Sequence, residues 1–531
     1  MKLPQTPLRF LERTARLYRD KVGIVCRDHR ETYGAYQGRV YQFARAMMEL
    51  GVRKGDRVAY LGMNCHRLLE AYYGVLPIGA ILLPLNIRLS PSEIAFILND
   101  AAPKVLVVGK ELVAVAEAVR HQVPVSSYVL ADEDAPLPPG WQRFDPLLAR
   151  QSADPIEAWD VDEDDVAEIF YTSGTTGRPK GAMLTHRALY THALQALVTL
   201  QLTDADVQIV GTVPLFHVNA WGSPHFLVAV GATQVVVPRF DPEIFARAVQ
   251  EHRATVALMV PTMLNALLNW PGRKAYDLSS LRTLVLGGAP APYALVEAAR
   301  REIGCKTMVG YGLTETTPVL TVAVLKGTLA DRPQEEKDRR MAMTGLPTVG
   351  VELRVVREDG TEVRSDGQEV GEIVVRGDSV MKGYWNRPEE TEEAFRGGWF
   401  HTGDMAVVDA EGYVQIVDRK KDIIISGGEN ISSVEVENCI YSHPAVLECA
   451  VIAATDPHWG EVPKALVVPK PGQTVTPEEL SAYCRDRIAH FKVPRHWVIL
   501  DRELPKTGTG KVMKAELRKL YGGGQAAATP A

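Results

Sequence analysis

The chain has 531 residues, 46% of them hydrophobic and 23% charged, and a formal net charge of −6. This is ordinary globular composition on a chain long enough for ~3–4 domain-sized units. The balance of charge leaves no basic field for nucleic acid or anionic lipid.

Met1 to Asp20 is mixed polar and helical in pattern, without the apolar stretch of a signal peptide. Asp56–Leu61 and Lys104–Val108 read as strands. Between Leu82-Leu83 and the second of these lies a helix with a marked start: Ser90 caps it, Pro91 fits its first turn, and Glu93 completes a capping box before Ile94, Ile97 and Leu98. The longest apolar run, Val75–Leu85, holds two prolines and is too short to span a bilayer. The strand–helix rhythm returns at Gln234–Val237, Glu243–Glu251, Val256–Met259 and Leu284–Leu286, which predicts an α/β fold of parallel sheets with helices on both faces. After Ala342 the pattern changes. Val351–Val356 and Glu372–Arg376 are strand-rich with Gly-containing turns, predicting a small β-barrel-like unit. Asp418–Asp422, five consecutive charged residues between two apolar strand patterns, predicts a boundary. A compact α/β segment of about a hundred residues follows, with another capping box at Thr476-Pro-Glu-Glu479 and a Gly/Ala-rich tail, Gly522–Ala531, that reads as disordered. Six scattered cysteines (26, 65, 305, 439, 449 and 484) lack metal-ligand spacing and read as buried thiols of a reducing cytoplasm.

The chemistry concentrates in Tyr171-Thr-Ser-Gly-Thr-Thr-Gly-Arg-Pro-Lys-Gly181. Four Ser/Thr hydroxyls, three glycines and two cations share eleven residues. Glycines let main-chain N–H groups turn toward an anion, hydroxyls add donors, and cations add charge, so the loop suits a polyphosphate. It is not a Walker A loop, because Gly174 plus five falls on Pro179 and no Gly-Lys-Ser/Thr follows. Further motifs follow in order: Thr283-Leu-Val-Leu-Gly-Gly-Ala-Pro290, Val309-Gly-Tyr-Gly-Leu-Thr-Glu-Thr316, Phe400-His-Thr-Gly-Asp404, Asp418-Arg-Lys-Lys-Asp422 and Pro505-Lys-Thr-Gly-Thr-Gly-Lys511. Together these six resemble the signatures of the adenylate-forming (AMP-binding) superfamily, which includes acyl-CoA synthetases, luciferases and peptide-synthetase adenylation domains. The similarity runs from about Leu11 to Leu520.

The resemblance implies a large body (1–418), a hinge (419–421), a small mobile lid (422–521) and the tail (522–531). It also implies a two-step reaction: a carboxylate attacks the α-phosphorus of ATP to give an acyl-adenylate and pyrophosphate, and coenzyme A then displaces AMP. The first step joins two anions, so it needs cations and fixed donors. Lys511, on a Gly-flanked turn, matches the lysine that contacts the carboxylate and α-phosphate; Lys506, Lys514 and Lys519 read as solvated. Glu315 suits Mg²⁺, a hard cation taking carboxylate, phosphate and water oxygens, with Thr172 as the second metal position, and Thr314 offers a hydroxyl to the α-phosphate. Gly310-x-Gly312 is not a dinucleotide fingerprint, since Glu315 occupies the third glycine position. By the same resemblance Thr172, Ser173, Gly174, Thr175, Thr176, Gly177 and Lys180 hold the phosphates. Gly288, Ala289 and Pro290 flank adenine, on which Tyr311 stacks between Gly310 and Gly312. Asp404 takes the ribose hydroxyls, and Arg419 reaches the ribose or phosphate side. Lys421 is the hinge position, and Gly427 and Gly428 form the loop that coenzyme A approaches.

Val213-Pro-Leu-Phe-His-Val-Asn-Ala-Trp-Gly222 resembles the corresponding segment of bacterial medium- and long-chain fatty acyl-CoA synthetases, placing His217, Val218 and Trp221 along the acyl channel with Trp221 closing it. Ile425 departs from a lysine present in some long-chain homologues. The expected activity is therefore fatty acid–CoA ligation, in the cytoplasm, with at most peripheral membrane contact and a homodimer suggested by the family. Alternatives are a ligase for an aryl or short branched acid, a carrier-loading adenylation enzyme, a luciferase-like oxygenase and a non-catalytic binder. The carrier-loading alternative would need an acidic residue within Phe216–Ala220 and an adjoining carrier module, yet only twenty residues follow Lys511.

Overall fold

In the computed structural model, residues 3–156, 159, 161–173, 178–420, 422–427, 429–507 and 510–522 are described. Short apolar strands recur between helices through the first 320 residues, and several, such as Ile81–Pro84 and Val105–Val108, are buried along their whole length. Strands of that kind pair in parallel beneath helices on both faces. Two sheets result. One orders Gly383–Tyr384, β2 (Pro179–Thr185), β1 (Val166–Ser173), Ile81–Pro84, Arg57–Leu61, Val105–Val108, Ser127–Leu130 and Gln142–Arg143. Its β1–β2 hairpin is antiparallel and sets Thr172 opposite Lys180. Ser90 and Glu93 form the expected capping box on Pro91–Ala101.

The second sheet carries Val207–Val210, Val256–Met259, β3 (Thr283–Leu286) and β4 (Lys306–Gly312) side by side and parallel, with β5 (Val319–Val322) returning antiparallel to β4. α1 (His186–Leu200) and α2 (Val218–Val230) pack together against these sheets. The carboxyl ends of these parallel strands open toward one cleft, the usual ligand position in open α/β sheets.

The β unit expected after Ala342 is a four-stranded antiparallel sheet, Glu352–Val356, Gly371–Arg376, β6 (Phe400–Val408) and β7 (Val414–Arg419). Beyond β7 a five-stranded sheet forms around the long hairpin Val446–Asp456/Gly460–Pro469. Adjacent residues of a strand face opposite sides, and both sides are covered here. Val451 packs with Val436 and Ile440 of α3 (Ser433–Tyr441), while Ala450 and Ile452 pack with Leu517 of α4 (Lys514–Tyr521). Thr476 caps Pro477–Arg485 as expected, but Glu479 turns toward His443, Nε2–Oε1 3.7 Å, and leaves the box half-made. Among the described residues no helix is long and apolar enough to cross a membrane, and the six cysteines are free, with Cys65 and Cys449 only half-buried.

Candidate functional site

One cavity of about 1760 Å³ lies between the strand ends, β6–β7 and the lid. It is lined by Thr172, Lys180, His217, Val218, Trp221, Gly288, Ala289, Pro290, Gly310, Tyr311, Gly312, Thr314, Glu315, Asp404, Arg419 and Lys511. Residues read from separate motifs are thus gathered into one space. Gly427 is not among its lining residues. It sits on the lid with φ +58°, its N–H donating to Trp459 O at 2.9 Å. Gly174, Thr175, Thr176, Gly177, Lys421 and Gly428 lie outside the described residues, and Ser173 is placed only as the last residue of β1.

The backbone explains why the motifs are rich in glycine at two points. Gly312 has no room for a Cβ, which would fall 1.6 Å from Pro318 O. Gly287 is similarly pressed between Gly310 O and the Trp221 indole, each 2.9 Å from its would-be Cβ. Removing side chains here lets β4, β5 and the Gly287–Pro290 turn close tightly, which carries Thr314 and Glu315 into the cavity on a single 3₁₀ turn.

Asp404 is 4% exposed and fully engaged: Tyr311 OH donates to Oδ2 at 2.8 Å, and Arg419 Nε lies 3.2 Å from Oδ1. Glu315 accepts from Tyr384 OH at 3.0 Å, and burial raises its pKa. Its remaining oxygen and the Thr172 hydroxyl are hard oxygen donors lining the same cavity, of the kind Mg²⁺ takes together with phosphate oxygens; among the described residues no group of three or more His, Cys, Asp or Glu could hold a metal unaided. Lys180 is paired with Glu390 and lies 5.3 Å from the centre of the Tyr384 ring. Tyr384 and Glu390 were not singled out from the sequence, although the Arg387-Pro388-Glu-Glu390 helix start marks the segment as ordered.

Lys511 reaches the cavity from the turn before α4, which begins at Lys514. The turn is held by Lys511 N–H to Thr507 Oγ1 (3.2 Å) and by Thr262 Oγ1 donating to Gly510 O (3.1 Å), a bond from body to lid. Among the described residues its Nζ has no ion-pair partner. Burial first, and then Arg419, lower its pKa to about 8. His217 is held neutral by burial and by Lys511, at about 4. The solvated reading of Lys506 and Lys514 is corrected: Lys506 Nζ pairs with Glu448 at 2.5 Å, and Lys514 Nζ lies 2.7 Å from Glu437 and 2.5 Å from Ser433 Oγ. Glu448 stands on the strand Val446–Asp456 and Glu437 on α3, a proximity to the two lysines that linear spacing does not display.

Trp221 is positioned by an unusual backbone. Val218, Asn219, Ala220 and Trp221 have φ of +36°, +46°, +47° and +58°, a left-handed turn at the start of α2. Each such residue costs roughly 1–2 kcal/mol, so neighbouring contacts must hold the turn. They are buried and polar: Asn219 Nδ2 donates to Glu168 Oε2 (2.7 Å), and Glu168 Oε1 lies 2.8 Å from His225 Nε2. Glu168 was legible only as a lone carboxylate in an apolar strand.

Comparison with known proteins places this site in a family. Models of the AMP-binding enzyme and of the AMP-binding enzyme C-terminal domain match residues 11–385 and 435–511. The long-chain-fatty-acid–CoA ligase of Thermus thermophilus is 42% identical, over 96% of this chain and 95% of its own length. A feruloyl-CoA synthase of an Amycolatopsis species is 41% identical, over 92% and 94%. The crystal structure of an anthranilate CoA ligase with anthranoyl-AMP superposes with a TM-score of 0.89 at 29% identity, covering 98% of both chains.

Proposed function

The chain belongs to the AMP-binding enzyme family as an adenylate-forming acid–thiol ligase using ATP and coenzyme A, and from that premise we propose that its acid is a medium- to long-chain fatty acid. The observation that carries the mechanism is the insertion of Lys511, with no ion-pair partner among the described residues, into the cavity that holds Asp404, Arg419, His217 and Glu315.

In the first half-reaction a carboxylate oxygen attacks the α-phosphorus and the bond to pyrophosphate breaks. On this reading Lys511 bridges the two anions and meets the charge that grows on the α-phosphate, a donor fixed before the reaction. Thr314 offers its hydroxyl to the same phosphate. Lys180, released from Glu390, and the Tyr171–Gly181 loop hold the β- and γ-phosphates. Asp404 reads the ribose, Arg419 steadies it, Tyr311 stacks on adenine, and Gly288–Pro290 borders its edge. Thr172 and Glu315 would hold Mg²⁺, which supplies positive charge to the polyphosphate when bound. In the second half-reaction the coenzyme A sulfur attacks the acyl carbonyl, the thiol gives up its proton, and AMP leaves with the electron pair of the acyl–oxygen bond.

The acyl tail extends past His217 and Val218 toward Trp221, whose indole closes the channel against Gly287. The cavity wall includes the apolar side chains of Leu200, Phe226, Val319 and Val322, which supports an aliphatic tail, as does the named activity of the Thermus relative. Pyrophosphate release should be driven by C8–C18 acids and be small with benzoate, ferulate or amino acids. Faster turnover of an aryl acid than of every alkanoate would overturn the substrate assignment.

A further inference from the structure

Buried polar atoms are almost always hydrogen-bonded, so orphans that line a cavity report on what the cavity receives. Two such side chains stand three residues apart on one face of α1, the spacing that makes helical neighbours. Among the described residues Gln195, 5% exposed, has a partner for neither Oε1 nor Nε2, and His192, 1% exposed, has none for Nε2. Both line the acyl cavity. The His192 ring presses on the backbone of Gly222, where a Cβ would lie 2.3 Å from its Cε1, so it stands directly beside Trp221. Gln195 continues the same face toward Gly350, whose would-be Cβ is 3.3 Å from Nε2.

The chemistry of the pair is neutral. Burial depresses the His192 pKa to about 3, so the imidazole carries no charge. The pair itself offers no charge to a second carboxylate. A plain alkyl tail would leave an amide and an imidazole nitrogen unsatisfied. A hydroxyl both donates and accepts, matching an amide that offers both. Resting on the reading of this cavity as the acyl site, we propose that His192 and Gln195 recognise a hydroxyl borne by the acid beyond Trp221, so that the preferred substrate is a hydroxylated fatty acid.

The test compares kcat/KM for chain-matched pairs: octanoate, decanoate and dodecanoate against their mid-chain, ω−1 and ω-hydroxy congeners, in the full-length enzyme. At least one hydroxy acid should exceed its unsubstituted congener by about tenfold or more, since a site built to hydrogen-bond a hydroxyl discriminates against the analogue lacking it. In Gln195→Leu and the near-isosteric Gln195→Met that ratio should fall toward one, with Tm checked so that a misfolded variant is set aside for the other. An unsubstituted acid that equals or beats all its congeners in the wild type overturns the proposal, as does a preference that survives both variants. If neither kind of acid drives pyrophosphate release, the fatty-acid reading itself fails and this inference falls with it. If alkanoates turn over and hydroxy acids gain nothing, only the inference fails.

Discussion

At the scale of single residues, Lys511 illustrates how position sets reactivity. An ammonium with no ion-pair partner among the described residues, buried and beside Arg419, is held near pKa 8. Because the protonated form is the one that can bridge two anions, adenylation measured as kcat/KM for ATP should be full below about pH 8 and fall as pH rises through it. A Lys511→Arg enzyme, whose guanidinium does not deprotonate, should lose that alkaline fall even if its plateau is lower. Lys511→Ala should lose about 3 kcal/mol of transition-state stabilisation in adenylation, yet still convert synthetic acyl-adenylate to acyl-CoA. A matching loss in both half-reactions would mean the lysine is structural. Gly312 gives the converse case, a residue whose role is to be absent: with Pro318 O at 1.6 Å from any Cβ, Gly312→Ala should lower Tm and abolish ATP binding together. Lys511, Glu315 and Asp404 were legible in the sequence because each stands inside a short motif whose neighbours repeat the message. His192 and Gln195 were not, since on α1 they read as the polar face of an amphipathic helix, and only the fold covers that face.

At the scale of elements, the end of β7 and the start of α3 are joined by a network that crosses from body to lid. Asp418 is 3% exposed and accepts from both Ser433 N–H (2.7 Å) and Ser433 Oγ (2.6 Å), while Lys514 of α4 reaches the same Oγ at 2.5 Å. Arg518 pairs with Asp422 at 2.7 Å on the adjoining side. Hydrogen bonds to a charged group contribute about 1.5–3 kcal/mol each, so this cluster favours the lid position in which Lys511 lines the cavity. Ser433→Ala should therefore slow adenylation by roughly tenfold, the loss of about one such bond, and leave thioester formation from supplied adenylate near the wild-type rate. Equal slowing of both steps would reduce the cluster to general stability. The run of charge from Asp418 to Asp422 reads in the sequence as an exposed boundary, and it could not reveal that Asp418 is buried. A charged residue is buried only where partners distant in sequence satisfy it, here fifteen residues ahead in Ser433. The parallel sheets were legible for the opposite reason, because continuous apolar strands and capped helices are local signals.

At the scale of the whole molecule, the two half-reactions make incompatible demands on one cavity. On the proposed mechanism adenylation needs Lys511 at the α-phosphate and thioester formation needs an open approach for a thiol, and the present arrangement suits the first. Lys511 lines the cavity, and Thr262 to Gly510 and Asn265 to Leu447 (2.9 Å) fasten the lid to the body. Gly427, the glycine expected to meet coenzyme A, is turned away from the cavity against Trp459. For the same lid to serve the second step it must release these bonds and turn, and the chain that links it to the body runs through Lys421. Anchors stand on either side: Lys420 N–H donates to Gly403 O at 3.1 Å, and Asp422 pairs with Arg518. A hinge between two fixed anchors must absorb the rotation in the dihedrals of very few residues. Proline fixes φ near ~−65° and removes that freedom. Lys421→Pro should therefore release pyrophosphate in a single turnover at close to the wild-type rate, yet accumulate acyl-adenylate that added coenzyme A does not consume. Rapid-quench measurement of both products separates the outcomes, and acyl-CoA formed at the wild-type rate would place the rotation elsewhere.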